Sequence, residues 1–305
     1  MSPSDPKWTL ANSYFCRNLK RRSGNLAENS AILAVHRMQI STGGRAIMKR
    51  KTPGWDIELT YHAESIDAMR DEIVGGRNLK EGYLRACGLQ FGNVRTLCGN
   101  DPLFCRAYEL ARERTIVAAA NLMNLYMILK FNFPALPPGH IVEFGAYKGG
   151  SAIFLAAVAQ TLYPGTRVYA FDTFAGMPDT DAQRDTHKKG DFADALDKEL
   201  RDYCARKGLR NLEIVKGPFE SSIPATLPSA GPLRLAHIDC DIYQSVATAY
   251  EGCKPYLVPG GYMVFDDPLI SSCVGALEAV EALAIRRDGL HAEQAYPHLV
   301  YRAPQ

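Results

Sequence analysis

The sequence predicts an α/β chain on a doubly wound, mostly parallel seven-stranded sheet, preceded by an N-terminal extension. Three observations carry that expectation. Beyond residue 139, short apolar runs of strand length alternate with longer segments of helical spacing. A glycine-rich turn, Gly-Ala-Tyr-Lys-Gly-Gly-Ser at 145–151, follows the first of these strands. Carboxylates then recur at the ends of four strands, the edge where open α/β sheets bind their ligands.

The elements are expected in the following order. Leu103 to Phe131 carries Leu110, Val117, Leu122, Leu125 and Leu129 at helical spacing, and Pro134, Pro137, Pro138 and Gly139 end that helical region. Strands follow at His140–Phe144, Arg167–Phe171, Glu213–Lys216, Leu233–Ile238 and Gly261–Phe265. Helices are expected at Ser151–Leu162, Asp191–Lys207, Tyr243–Tyr256 and Val274–Arg286. A closing hairpin, His291–Tyr296 with His298–Arg302 turning at Pro297, brings the strand count to seven and adds an antiparallel edge. Residues 1–95 form the extension and residues 96–305 the domain that carries the motifs.

Composition excludes several classes. With 305 residues the chain can bury roughly 75% of its unfolded surface, so it needs no disulfide or metal to fold. At 47% hydrophobic and 22% charged residues, with mean hydropathy −0.17, it is neither disordered nor fibrous. The longest apolar stretch, Ile116 to Leu129, is too short to span a bilayer and carries Asn121 and Asn124. No basic-then-apolar leader opens the chain. The eight cysteines include no Cys-x-x-Cys pair, which argues against a zinc ribbon and for free thiols in a reducing cytoplasm.

Net charge is only +2, but it is uneven. Residues 1–51 hold ten Lys/Arg against Asp5 and Glu28, leaving the remainder with 25 basic and 31 acidic residues. No aromatics interleave the basic arm in the manner of a nucleic-acid surface, so it reads as a solvated or subunit-contacting extension.

The strand ends carry the chemistry. Gly145 allows a tight strand-to-helix turn, and Gly149 with Gly150 would let a ligand approach the helix start. The pattern is not the Gly-x-Gly-x-x-Gly of dinucleotide sites. Asp172, ending the second strand, is suited to accepting hydrogen bonds from a ribose diol. Asp239 ends the fourth strand, with Asp241 just beyond it, and Asp266 and Asp267 end the fifth. Carboxylates converging to about 4 Å repel by about 4 kcal/mol per pair at an effective dielectric of 20. Such a set must bind a cation, hold protons or point apart. An all-oxygen set suits Mg²⁺ better than Zn²⁺.

Together IVEFGAYKGGS, FDTFAGMP, HIDCDIYQS and PGGYMVFDDP resemble, in order and spacing, the macrocin O-methyltransferase family over roughly residues 100–305. The resemblance implies a Rossmann-like, class I S-adenosylmethionine-dependent fold and Mg²⁺-assisted methylation of sugar hydroxyls on glycosylated natural products, the work of a cytoplasmic enzyme of antibiotic biosynthesis. Carried over by position, it implies that Glu143, Gly145, Gly149 and Ser151 line the methionine and ribose side of the cofactor. Asp172, with Thr173 beside it, would take the ribose hydroxyls, and Gly217 with Phe219 would border the adenine. Asp239, Asp266 and Asp267 would hold the metal, and Asp241 would be the general base. Pro268 departs from the tyrosine that commonly follows the aspartate pair. The catechol-methylating branch of the fold places a lysine three residues after its first metal aspartate, where this chain has Ile242, so a sugar hydroxyl is favoured over a phenol.

Four other residues or clusters are expected to play bland roles. His237 is expected to be a satisfied core histidine and His187 a surface histidine on a loop, residues 178–190, covering the site. Cys240 is expected to pack, because neighbouring anions raise a thiol pKa. Lys188 and Lys189 are expected to be solvated. The rival functional classes are phenol methylation, NAD(P)-dependent oxidoreduction and a non-catalytic cofactor-binding protein. The expected partner is a small molecule, not a membrane or nucleic acid; a homo-oligomer stays open.

Overall fold

The computed structural model describes residues 94–305 continuously and, before them, two short antiparallel ladders, Arg50–Lys51 with Glu58–Leu59 and Ile73–Val74 with Arg77–Asn78. The chain divides into two compact units, Met1–Ala68 and Met69–Gln305. The basic arm of residues 1–51 lies almost wholly outside the described residues.

The second unit is built on a six-stranded sheet: β1 His140–Phe144, β2 Val168–Asp172, β3 Leu212–Lys216, β4 Leu233–Ile238, β5 Leu257–Phe265 and β6 Leu299–Arg302. Their spatial order is β6-β5-β4-β1-β2-β3, with β6 antiparallel to β5 and every other pairing parallel. The strand order reverses between β1 and β4, which opens a crevice above their carboxyl ends.

Both faces of the sheet are covered, and this explains why its central strands are continuous apolar runs. Every residue of β4 is buried, as are all of β1 after His140. One face packs against α1 Val94–Gly99, α2 Pro102–Ala111, α3 Ala119–Met127, α4 Gly150–Leu162 and α5 Asp197–Lys207. The other packs against α6 Phe219–Ala230, α7 Tyr243–Cys253 and α8 Val274–Val280. Local signals set the ends of these helices. Asp101 caps α2 by accepting from Leu103 N at 2.9 Å, with Pro102 in the first turn. Helix α5 begins with Asp197 and Glu199, ends with Arg206 and Lys207, and is closed by Gly208 in the left-handed region.

The structure departs from the expected elements in three places. The sheet has six strands among the described residues, not seven. Residues 291–296 are largely exposed and contribute only the bridge of Gln294 to Val300, and Pro297 offers no amide to extend a ladder. The helix expected from Asp191 starts at Asp197, because residues 173–196 form a long loop over the carboxyl edge. Helix α6 has no counterpart in the sequence reading, since Pro224 and Pro228 mark a broken segment there. Both prolines lie four apart on the exposed side, where the carbonyls they leave unpaired meet water, while Phe219, Ile223, Leu227 and Ala230 pack inward. No helix of the described residues is long and apolar enough to cross a membrane. Their six cysteines are free thiols.

Candidate active site

A cavity of about 450 Å³ occupies the crevice above β1 and β4. The turn after β1 forms part of its wall. Gly145 has φ +92°, and a Cβ there would lie 1.6 Å from the carbonyl oxygen of Asp239, so the turn can press against the end of β4 only without a side chain. Gly145→Ala is expected to cost about 2–5 kcal/mol, combining left-handed strain with overpacking. Urea unfolding would measure it, and a change below 0.5 kcal/mol (about the noise of a surface substitution) would contradict the close approach.

Asp172 sits beneath this turn. Its Oδ2 accepts from Tyr147 N and its Oδ1 from Phe174 N, both at 2.7 Å, so the carboxylate ties the turn to the start of the loop after β2. Burial raises its pKa against the pull of those amides. Thr173, Ser151 and Phe219 share the cavity wall, and Phe219 meets Phe144 edge-on at 5.4 Å.

Three positions named from sequence do not line the cavity. Gly149 has φ +83°, and a Cβ there would strike Leu200 at 2.3 Å; its glycine serves the packing of α4 against α5. Gly217, with φ +142°, lies off the wall. Glu143 is fully buried behind it, where its Oε1 pairs with His237 Nδ1 at 2.8 Å and its Oε2 has no partner among the described residues. His237 is therefore a core histidine, though its Nε2 is unpaired, 3.7 Å from Asp266 Oδ1. Burial opposes its charge, but Asp266 and Glu143 outweigh that and raise its pKa to about 9.

Also on the cavity wall, Asp239, Asp266 and Asp267 converge, offering one oxygen each within 4.8 Å of one another. Burial and the surrounding carboxylates push Asp239 and Asp267 well above the usual range. Asp266 goes the other way: burial opposes ionisation, yet His237 and His298 hold its carboxyl well below that range. One fixed anion beside two carboxylates driven toward protonation is an arrangement that a cation would relieve. An all-oxygen donor set of this kind could hold a hard divalent ion.

Asp241 does not share a strand face with Asp239, as two-residue spacing within one strand would have it. Strand β4 ends at Ile238, and Asp241 stands at φ +60°, its backbone N donating to Asp267 Oδ2 at 2.8 Å. Its carboxylate lies on the cavity wall, accepts from Cys273 Sγ at 3.4 Å, and is 3.8 Å from His187 Nε2. Burial raises its pKa, partly offset by His187 and Cys273.

His187 is thus no surface histidine. The loop over the site is pinned down around it: Asp185 accepts from Tyr243 N at the start of α7 at 2.9 Å, the Arg184 guanidinium lies 4.2 Å from the Tyr243 ring centre, and Thr186 donates to Ser272 O. These contacts carry His187 inward, where its Nδ1 lies 3.4 Å from Asp191. Cys240 is packed, and burial with its acidic neighbours pushes its thiol far up. Lys188 and Lys189 are exposed.

Sequence reasoning missed Asn121, which donates to Asp266 Oδ1 at 2.8 Å, and His298, whose Nε2 lies 2.7 Å from the same oxygen. It also missed an apolar mouth. Of the eight large hydrophobic side chains exposed among the described residues, Ile116, Leu269, Ile270 and Tyr296 all line this one cavity, too concentrated for ordinary surface scatter.

The comparisons agree with this architecture. A curated relative from Streptomyces olivaceus, "8-demethyl-8-(2,3-dimethoxy-alpha-L-rhamnosyl)-tetracenomycin-C 4'-O-methyltransferase", is 33% identical over 180 residues, spanning 53% of this chain and 66% of the relative. The "Demethyldecarbamoylnovobiocin O-methyltransferase" of Streptomyces niveus is 24% identical over 205 residues, spanning 59% of this chain and 76% of the relative. Among solved structures, the O-methyltransferase NovP shares the fold with a TM-score of 0.55 at 20% identity, covering 63% of this chain and 83% of that one. The model of the macrocin-O-methyltransferase (TylF) family matches residues 111–287, more than half the chain and every element from β1 to α8, and this chain belongs to that family.

Proposed function

We propose that this chain transfers a methyl group from S-adenosylmethionine to a sugar hydroxyl of a glycosylated natural product, assisted by a divalent cation and by Asp241 as general base. The carrying observation is one cavity lined by a glycine turn with Asp172, by three converging carboxylates with Asp241, and by a cluster of exposed apolar side chains. The activities of the curated relatives, which include a rhamnosyl-tetracenomycin 4'-O-methyltransferase and a demethyldecarbamoylnovobiocin O-methyltransferase, support the acceptor class.

Gly145, Ser151, Asp172, Thr173 and Phe219 would hold the methyl donor, whose sulfonium supplies the transferable methyl. Asp239, Asp266 and Asp267 would hold the cation, which when bound acts as a Lewis acid on the acceptor. The chain's own task is alignment, since an in-line displacement gains most from fixing its reacting groups in place. Asp241, on the cavity wall beside the cluster, would take the acceptor's proton at its carboxylate. Met177, Pro178 and Phe192 of the overlying loop would keep water from the donor end. Ile242 is 1% exposed and offers no amine, which argues against the phenol-methylating alternative.

The test is transfer of labelled methyl from S-adenosylmethionine to a panel of aromatic and macrocyclic glycosides, their free aglycones and small phenols. Methylation on the sugar is the expected result, and methylation of the phenols alone would overturn the reading.

The apolar mouth makes a second expectation. Ile270→Glu should raise KM for a glycoside with a large apolar aglycone about tenfold, equivalent to about 1.4 kcal/mol, because roughly half of an isoleucine's burial free energy is lost. For the same sugar as its methyl glycoside KM should barely change. Equal effects on both acceptors would remove the mouth from aglycone binding.

A further inference from the structure

Every hydrogen bond from a described side chain to Asp266 falls on Oδ1, from Asn121 Nδ2 at 2.8 Å and from His298 Nε2 at 2.7 Å. None falls on Oδ2. The direction of the His298 bond follows from a chain behind it. Gln294 Nε2 donates to Asn124 Oδ1 at 2.9 Å, which turns the Asn124 amide nitrogen toward His298 Nδ1, also at 2.9 Å. An Nδ1 that accepts leaves the ring proton on Nε2, aimed at Asp266. Gln294 is held in turn by its bond to Tyr296 O at 2.8 Å. His298 is fully buried and Asn124 nearly so, so the chain is sheltered from competing water.

We propose that His298 and Asn121 are positioning residues for the cation site: together they lock the Asp266 carboxylate by Oδ1 and leave Oδ2 as the oxygen presented to the ion. This rests on the reading that Asp239, Asp266 and Asp267 bind a divalent cation. The two residues reach Asp266 from opposite directions in the chain. Asn121 comes from α3, before the sheet begins, and His298 from the segment leading into the closing strand β6. The antiparallel edge strand thereby acquires a role in the site, since pairing of Leu299 with Phe265 sets His298 beside the end of β5. Partners that orient a metal ligand typically matter 10–100-fold for metal affinity.

The experiment separates orientation from packing by two conservative replacements at one buried site. His298→Gln keeps a nitrogen donor where Nε2 stands, whereas His298→Asn keeps only an acceptor toward Asn124. Mn²⁺ binding to the full chain, followed by electron paramagnetic resonance, is expected to stay within about threefold of wild type in His298→Gln and to weaken about tenfold or more in His298→Asn. Asn121→Ala, on the cavity wall where water can fill the space, should weaken Mn²⁺ similarly and serves where the histidine variants fold poorly. Wild-type Mn²⁺ affinity in both His298→Asn and Asn121→Ala overturns the positioning role alone. Absence of Mn²⁺ binding in the wild type overturns the cation reading and this proposal with it.

Discussion

Excess chelator is expected to abolish methyl transfer, and added Mg²⁺ or Mn²⁺ to restore it, while affinity for S-adenosylhomocysteine persists in large part. Different residues explain the split. Asp172, Ser151 and Phe219 are the proposed donor-holding residues, whereas Asp239, Asp266 and Asp267 form the carboxylate cluster of the same cavity. Without an ion, carboxylates this close repel by about 4 kcal/mol per pair at 4 Å and a dielectric of 20. Burial, and with it that repulsion, pushes the carboxyls of Asp239 and Asp267 well above the usual range. A pair driven toward protonation is not the anionic set that the proposed chemistry requires. Calorimetry of S-adenosylhomocysteine with and without chelator gives a readout independent of turnover. A rise in Tm on adding Mg²⁺ gives another, because an ion that binds only the folded chain stabilises it. Full activity in excess chelator would sink the cation mechanism, and loss of S-adenosylhomocysteine binding would show that donor and cation do not bind independently.

The parts of this fold legible in the sequence are those whose physics is local. β1 and β4 are buried on both faces, so they announce themselves as unbroken apolar runs. The acids at the strand ends could be named because a doubly wound sheet gathers its carboxyl ends on one edge. What stayed hidden depends on distant contacts or on solvent. Helix α6 was concealed by two prolines that are harmless only because they face water. Gly149 looked like part of a ligand-cradling turn, yet its constraint comes from Leu200, fifty-one positions further on. His187 carries no local mark of burial; its place is fixed by Asp185, Arg184 and Thr186 gripping α7 and the segment before α8. Asn121 and His298 sit outside the four motifs and meet Asp266 only through tertiary packing. An apolar mouth likewise has no sequence signature, because Ile116, Leu269, Ile270 and Tyr296 come from three separate segments.

Asp241→Asn is expected to lower kcat by about 10²–10⁴-fold, the usual contribution of a general base, with Mn²⁺ and S-adenosylhomocysteine affinities close to wild type. The replacement is a clean one. Asparagine tolerates the left-handed backbone that Asp241 adopts, so φ +60° adds little strain. The bond from residue 241 to Asp267 Oδ2 uses the backbone nitrogen and survives the change. An amide oxygen can still accept from Cys273. What the substitution removes is the capacity to take a proton. Asp239→Asn and Asp267→Asn should behave differently, losing metal affinity and regaining some activity at high Mg²⁺, because they change the donor set itself. The contrast between loss of kcat with binding intact and loss of binding with rescue is what distinguishes a base from a ligand. Near-wild-type kcat in Asp241→Asn would move the base elsewhere. His237 could not take over, locked behind the site by Glu143. The next group to test would then be His187, 3.8 Å from the same carboxylate, by His187→Gln.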